Sequence, residues 1–235
     1  MSSSVKFQGF SREGIQFLAD LAANNDRAWF QPRKAEYERL LKDPLEVLCL
    51  ALAERFEKAG LPLRSDPAHS PFRIYRDVRF SADKSPYKTA VSASFPWTGE
   101  GGGVGAYFHF QPGEIMAGGG MWHPEPAQLA AWRNLVGTDL PRVRAALEDP
   151  VFVATYGKVE GDSLKRVPAG YAPDHPGAEL LKLKDVTFGR RLADADVLGP
   201  GLPDTLTGLF AASIPVLRLL AGLGPEARAG WLRGA

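Results

Sequence analysis

Apolar positions recur at helical spacing towards both ends of this chain and alternate strictly in its middle. A first helix is predicted from Ser11 to Ala23, with Ser11 as N-cap, Phe10 and Ile15 at staple positions, and Leu18, Leu21 and Ala22 continuing the apolar face. Asn24-Asn25-Asp26 breaks it and is able to cap a second segment. Pro32 fits a first turn better than a helix interior, so a short turn and a new start are expected within Trp29 to Leu41. Asp43 then reads as a cap with Pro44 at the first helical position. Leu45, Leu48, Cys49, Leu52 and Phe56 follow at helical spacing until Gly60.

The period changes after Leu61. Pro62, Pro67 and Pro71 mark a loop. From Phe72 to Phe80 the chain alternates: Phe72, Ile74, Val78 and Phe80 share a face with Arg76, while Arg73, Tyr75, Asp77 and Arg79 share the other. Ser81 to Lys88 reads as a polar turn. A second strand is expected from Thr89 to Trp97 through Val91, Ala93 and Phe95. A glycine-rich loop, Gly99 to Gly103, leads to a third row at Val104, Ala106, Phe108 and Phe110. Gln111-Pro112-Gly113 is a tight turn before a fourth strand, Glu114 to Met121. Successive strands with short turns predict an antiparallel meander.

Helical spacing returns at Leu129, Trp132, Leu135 and Val136, and again after Asp139 through Val143 and Leu147. Short strands are expected at Leu164 to Val167 and Val186 to Leu192, a short helix at Ala178 to Leu183, and an apolar helix from about Asp204 to Leu220 kinked or interrupted at Pro215. Helices, then strands, then helices predict an α+β fold: one domain over residues 1–235, with a core at about 7–222 and peripheral ends at 1–6 and 224–235.

Composition narrows the function classes. Lys+Arg 28 against Asp+Glu 27 gives a net charge of +1, which argues against a general polyanion binder. A single cysteine, Cys49, rules out an intramolecular disulfide and a multi-cysteine zinc site. It lies in a helix stripe, as a packed thiol would. Met1 to Lys6 is polar, so no signal peptide is visible and the expected compartment is the cytoplasm. Leu206 to Leu223, the longest apolar stretch, contains Arg218 and Pro215 and reads as a core helix, so no membrane partner is expected. His69, His109, His123 and His175 are scattered with no metal-binding spacing, so no metal site is expected. The sequence names no cofactor.

The densest chemistry is FRIYRDVRFSADKSPYK, Phe72 to Lys88, with three arginines, two lysines, two aspartates and two tyrosines in 17 positions. Arg76 stands in the apolar row, where a buried guanidinium needs a carboxylate or a bound anion. Arg73, Arg76, Arg79, Lys84 and Lys88 are candidate ligands for a phosphate or carboxylate. Asp77, Asp83 and Tyr87 are candidates to orient those cations or move protons. The alternative is an internal network, Arg76 with Asp77 or Asp83, that fixes the turn. A metal-dependent nuclease fits poorly, because Asp83 and Lys84 are adjacent. A second cluster, Gly118 to Pro126, offers Trp122 as a ligand wall and His123 as a general base, although a lone histidine before a proline is more often a turn residue. Asp174 and His175 lie in a proline-rich loop, from which Tyr171 and Lys182 are candidates to return to the first cluster.

Four stretches resemble the bacterial domain-of-unknown-function family 2461: FLADLAANNDRAWFQPRKAEYE from Phe17, RIYRDVRFSADKSPYK from Arg73, GGGMWHPEPAQLAAWR from Gly118 and PAGYAPDHPGAELLKLK from Pro168. The resemblance implies a conserved cytoplasmic protein and brings no catalytic assignment. The leading expectation from the residues is a pocket between the RDVRF–DKSPYK hairpin, the Gly118–His123 strand end and the later helices, taking a small anionic ligand. The alternatives are a structural or interaction protein with an internal ion-pair network, and a weak nucleic-acid binder using Tyr75 and Tyr87 beside the basic residues.

Overall fold

A computed structural model describes residues 6–79, 81–99 and 102–223. Phe80 and Gly101, on which two of the expectations above fall, and the terminal stretches 1–5 and 224–235 lie outside them. The fold is α+β: a four-stranded antiparallel sheet with helices that precede and follow its strands along the chain.

The N-terminal helices follow their caps. The Ser11 hydroxyl accepts from Gly14 N at the start of α1 (Arg12–Ala23), and Asp26 accepts from Trp29 N at the start of α2 (Arg27–Phe30). Pro32 sits in a 3-10 turn, Gln31–Arg33, before α3 (Lys34–Tyr37). The expected cap at Asp43 is corrected. The backbone is already helical at Lys42, and a π-helical stretch, Glu38–Lys42, runs directly into α4 (Asp43–Ala59). Pro44 lacks an N–H and its ring crowds the carbonyl of Leu40, and a widened turn ahead of it relieves both. Leu45, Leu48, Cys49, Leu52 and Phe56 are all buried, and Gly60 closes α4 at φ +62°.

The first expected strand is also corrected. Residues 72–79 do not form a regular strand. Two bridges tie the segment down, Pro71 to Ala93 and Tyr75 to Tyr87. Phe72 N donates to Ser92 O (2.9 Å), Arg76 N to Pro86 O (3.0 Å) and Lys88 N to Ile74 O (2.8 Å). Pro71 and Pro86 lack the donors that a continuous ladder needs. The alternation itself persists: Arg73, Tyr75, Asp77 and Arg79 are exposed, while Phe72, Ile74, Arg76 and Val78 are not.

The meander is therefore β1 (Val91–Pro96), β2 (Val104–Gln111) and β3 (Glu114–Met121). It is extended by β4 (Val186–Arg191), which pairs antiparallel with β3. Between them come α5 (Pro126–Thr138), α6 (Leu140–Leu147), α7 (Pro150–Tyr156) and α8 (Ala178–Lys182). Leu164 to Val167 is not a strand. Its backbone is tied to the end of α8, through Leu164 N to Lys182 O (2.8 Å) and the adjoining bridge Ser163–Leu183, rather than to a strand edge. After α9 (Asp194–Leu198) the chain ends its described part in α10 (Leu202–Ala221), which continues through Pro215.

One face of the sheet is core. Val91, Ala93, Phe95, Ala106, Phe108 and Phe110 are buried there. Helix α10 packs on β3 and β2, α4 on β1 and α7 on β4. By length and composition α10 is long and apolar enough to cross a membrane. In this fold Leu206, Phe210, Val216 and Leu217 are fully buried, and each such side chain contributes about 1.5–3 kcal/mol. The opposite face of the sheet carries Ser92, Ser94, Tyr107, His109, Met116 and Arg191.

Candidate functional site

Side chains alternate along a strand, and residues paired across strands share a face. Register therefore assembles the second face in rows. Ser92, His109, Met116 and Arg191 form one row from β1 to β4. Ser94, Tyr107, Gly118 and Gly189 form the next. The paired glycines bring no side chains of their own to that row, and the Met116 methyl lies against Gly189. A Cβ at Gly118 would lie 2.1 Å from Phe188 O, so the close approach of β3 to β4 requires glycine there.

Over this face lies a groove of about 1040 Å³. The Phe72–Lys88 segment walls it on the β1 side with Phe72, Arg76, Asp83, Ser85 and Lys88, and Trp122 closes another side. Its strand-borne lining includes Tyr107, His109, Glu114, Met116 and Arg191, with Glu160 at the rim of β4.

Tyr107 Oη and His109 Nδ1 are 3.2 Å apart, hydrogen-bonded side by side on β2. Burial lowers the pKa of His109, against the opposing influence of Glu114 and Gln111. Burial raises that of Tyr107, while a hydrogen bond to Ser92 draws it back. The Phe72 ring meets Tyr107 edge to face at 6.1 Å. Lys88 Nζ stands 5.0 Å from the Phe72 ring centroid, a cation–π distance. Burial lowers the Lys88 pKa, and repulsion from Arg73 adds to it. Among the described residues Lys88 pairs with no carboxylate.

The structure divides the residues singled out from the sequence. Lys88, Arg76, Asp83, Tyr87 and Trp122 come together around the groove. Arg76, however, is ion-paired with Asp83 and also donates to Ser85 O (3.3 Å). The Ser85 hydroxyl and amide and the Arg76 guanidinium together hold the Asp83 carboxyl well below the usual range. Arg79 forks onto Asp77, whose pKa falls to about 2. Lys84 donates to Val78 O (2.9 Å). Arg73 is exposed and does not line the groove.

Tyr87 is an anchor: only 1% exposed, it stacks on Phe30, and its main chain is held by Asn25 through two hydrogen bonds. His123 lies outside the groove lining, at φ +47°, with its amide donating to Asp185 Oδ1 (2.7 Å) and its ring edge-on to Trp122. It occupies the turn role. Lys182 pairs with Glu179, and Tyr171 packs beside Gly137, so neither returns to the first cluster. Cys49 is fully buried, and burial pushes its thiol up to about 12.

Sequence reasoning missed Ser92, Tyr107, His109, Glu114, Met116 and Arg191. The signal was present in the positions between Val104, Ala106, Phe108 and Phe110, where Tyr107 and His109 alternate with the core row. Among the described residues no group of three or more His, Cys, Asp or Glu is placed to hold a metal ion.

The model of a family described as a conserved hypothetical protein, DUF2461, matches residues 13–218. Neither the curated proteins nor the solved structures contain a match to the chain.

Proposed function

This chain belongs to the DUF2461 family of conserved hypothetical proteins, and from the geometry of its polar sheet face we propose that it binds a small ligand bearing a carboxylate or phosphate. The observation that carries this reading is Lys88. Its ammonium is half-buried at the groove wall, and the charge felt most closely is a second cation, Arg73. A partly desolvated cation without a carboxylate is costly, and a ligand anion is the group that would complete it. Phe72, Tyr107 and Trp122 supply aromatic surface for the body of the ligand, and the Tyr107–His109 pair supplies hydrogen bonds. Lys88 thus takes the main anion-binding role, with Arg76 contributing only where its pairing with Asp83 yields.

A second reading, a structural role for the turn, is favoured by the internal pairs Arg76–Asp83 and Arg79–Asp77. Thermal melts in a panel of carboxylates, inorganic phosphate and sulfate separate the two. Ligand binding predicts a saturable rise in Tm for the wild type that Lys88→Gln abolishes. The same response in both proteins, or none in either, favours the structural role.

A further inference from the structure

The groove has a second positive end. Arg191 shares the row of Ser92, His109 and Met116, so it projects over the same face as they do. It lines the groove, and among the described residues it too lacks a carboxylate partner. Neighbouring strands lie about 4.8 Å apart, so the row spans about 14 Å from β1 to β4. Lys88 stands at the β1 end, linked to it through Phe72, whose amide donates to Ser92 O at 2.9 Å and whose ring lies beneath the ammonium.

Between the two cations the surface changes character. Met116 sits beside His109 with its methyl lying against Gly189, and the edge-to-face pair of Phe72 and Tyr107 forms one wall. Glu114 projects from the adjacent row, close enough to influence both Tyr107 and His109. A carboxylate there opposes negative charge in the middle of the groove and leaves the two ends as the places for it. Glu160, at the rim by Thr187, adds to that opposition away from Arg191's row.

We infer that the ligand is elongated and carries an anionic group at each end, one on Lys88 and the other on Arg191, with an uncharged middle lying over Met116. The inference rests on the proposed role of Lys88. A long α,ω-dicarboxylate is the simplest molecule of this class.

Calorimetric titration of the full chain with succinate, suberate and sebacate, and with octanoate as the one-ended control, tests it. Suberate or sebacate is expected to bind about tenfold more tightly than octanoate, the gain of one charge-assisted contact, and succinate, too short to reach both cations, to gain nothing. Arg191 is exposed, so Arg191→Gln leaves the fold in place; it is expected to remove the advantage of the long dicarboxylates and leave octanoate unchanged. Equal affinity for suberate, sebacate and octanoate, all dependent on Lys88, overturns the two-ended ligand alone. An equal loss of all ligands in Arg191→Gln also overturns it. Absence of any Lys88-dependent binding overturns both this inference and the reading beneath it.

Discussion

The Tyr87 ring stacks on Phe30, with centroids 4.1 Å apart and planes inclined by 28°, and so fastens the charged turn segment to the N-terminal helices. Asn25 reinforces the junction from its side chain, accepting from Tyr87 N (3.1 Å) and donating to Tyr87 O (2.9 Å). The groove wall that holds Lys88 is thus positioned by a residue whose ring is in the core.

Tyr87→Ala is expected to destabilise the protein by about 3–5 kcal/mol, the range for deleting a large buried ring. Tyr87→Phe keeps the stacking and loses only the hydrogen bond from Gln31 Nε2 (3.3 Å), so its cost should stay below about 1.5 kcal/mol. Urea denaturation of both variants checks this. Equal, large losses would instead assign the phenol hydroxyl the main role.

Gly118→Ala is expected to weaken the sheet, because the added carbon would meet Phe188 O at 2.1 Å. Neither strand can yield without breaking its register, and the expected loss is about 1–3 kcal/mol. Hydrogen exchange should show the amides between β3 and β4 opening first. An unchanged midpoint and unchanged exchange would contradict the close approach.

Stability should depend on pH through His109. Burial disfavours its imidazolium, so the folded protein takes up this proton at a lower pH than the unfolded chain, whose histidine titrates near 6.5. Between those two values the unfolded state holds more of the proton, so stability rises with pH there. The contribution is complete above the unfolded value and falls away as pH drops towards the folded one. Urea midpoints at about pH 8 and about pH 5 should therefore show a smaller acid loss in His109→Gln than in the wild type. A parallel acid loss in both proteins contradicts it.

Much of the fold was legible because local signals agreed. Ser11, Asp26 and Asp139 cap helices where their side chains predict it. Gly113 turns the chain between two strands, at φ +77°, and the alternating row of β2 and the bounds of β3 lie where expected. The failures have local causes as well. Alternation from Phe72 was real, but Pro71 and Pro86 deprive the segment of a continuous ladder. The helical period across Asp43 concealed a π-helical stretch in which one turn is wider. The site was less legible than the fold. Most of the conspicuous charges near the turn satisfy one another, and of that segment's described cations Lys88 alone reaches the groove without a carboxylate. His109 and Arg191, which line the same groove, are far apart in sequence, and only sheet register places them in one row.

The position of a bound anion tests the central claim most directly. Crystals of the wild type and of Lys88→Gln soaked in selenate, located by anomalous scattering, would give it. The account predicts a selenium peak in the groove within hydrogen-bonding distance of Lys88 Nζ, lost in the variant. A groove with no peak in the wild type, or the same peak in both proteins, would contradict it.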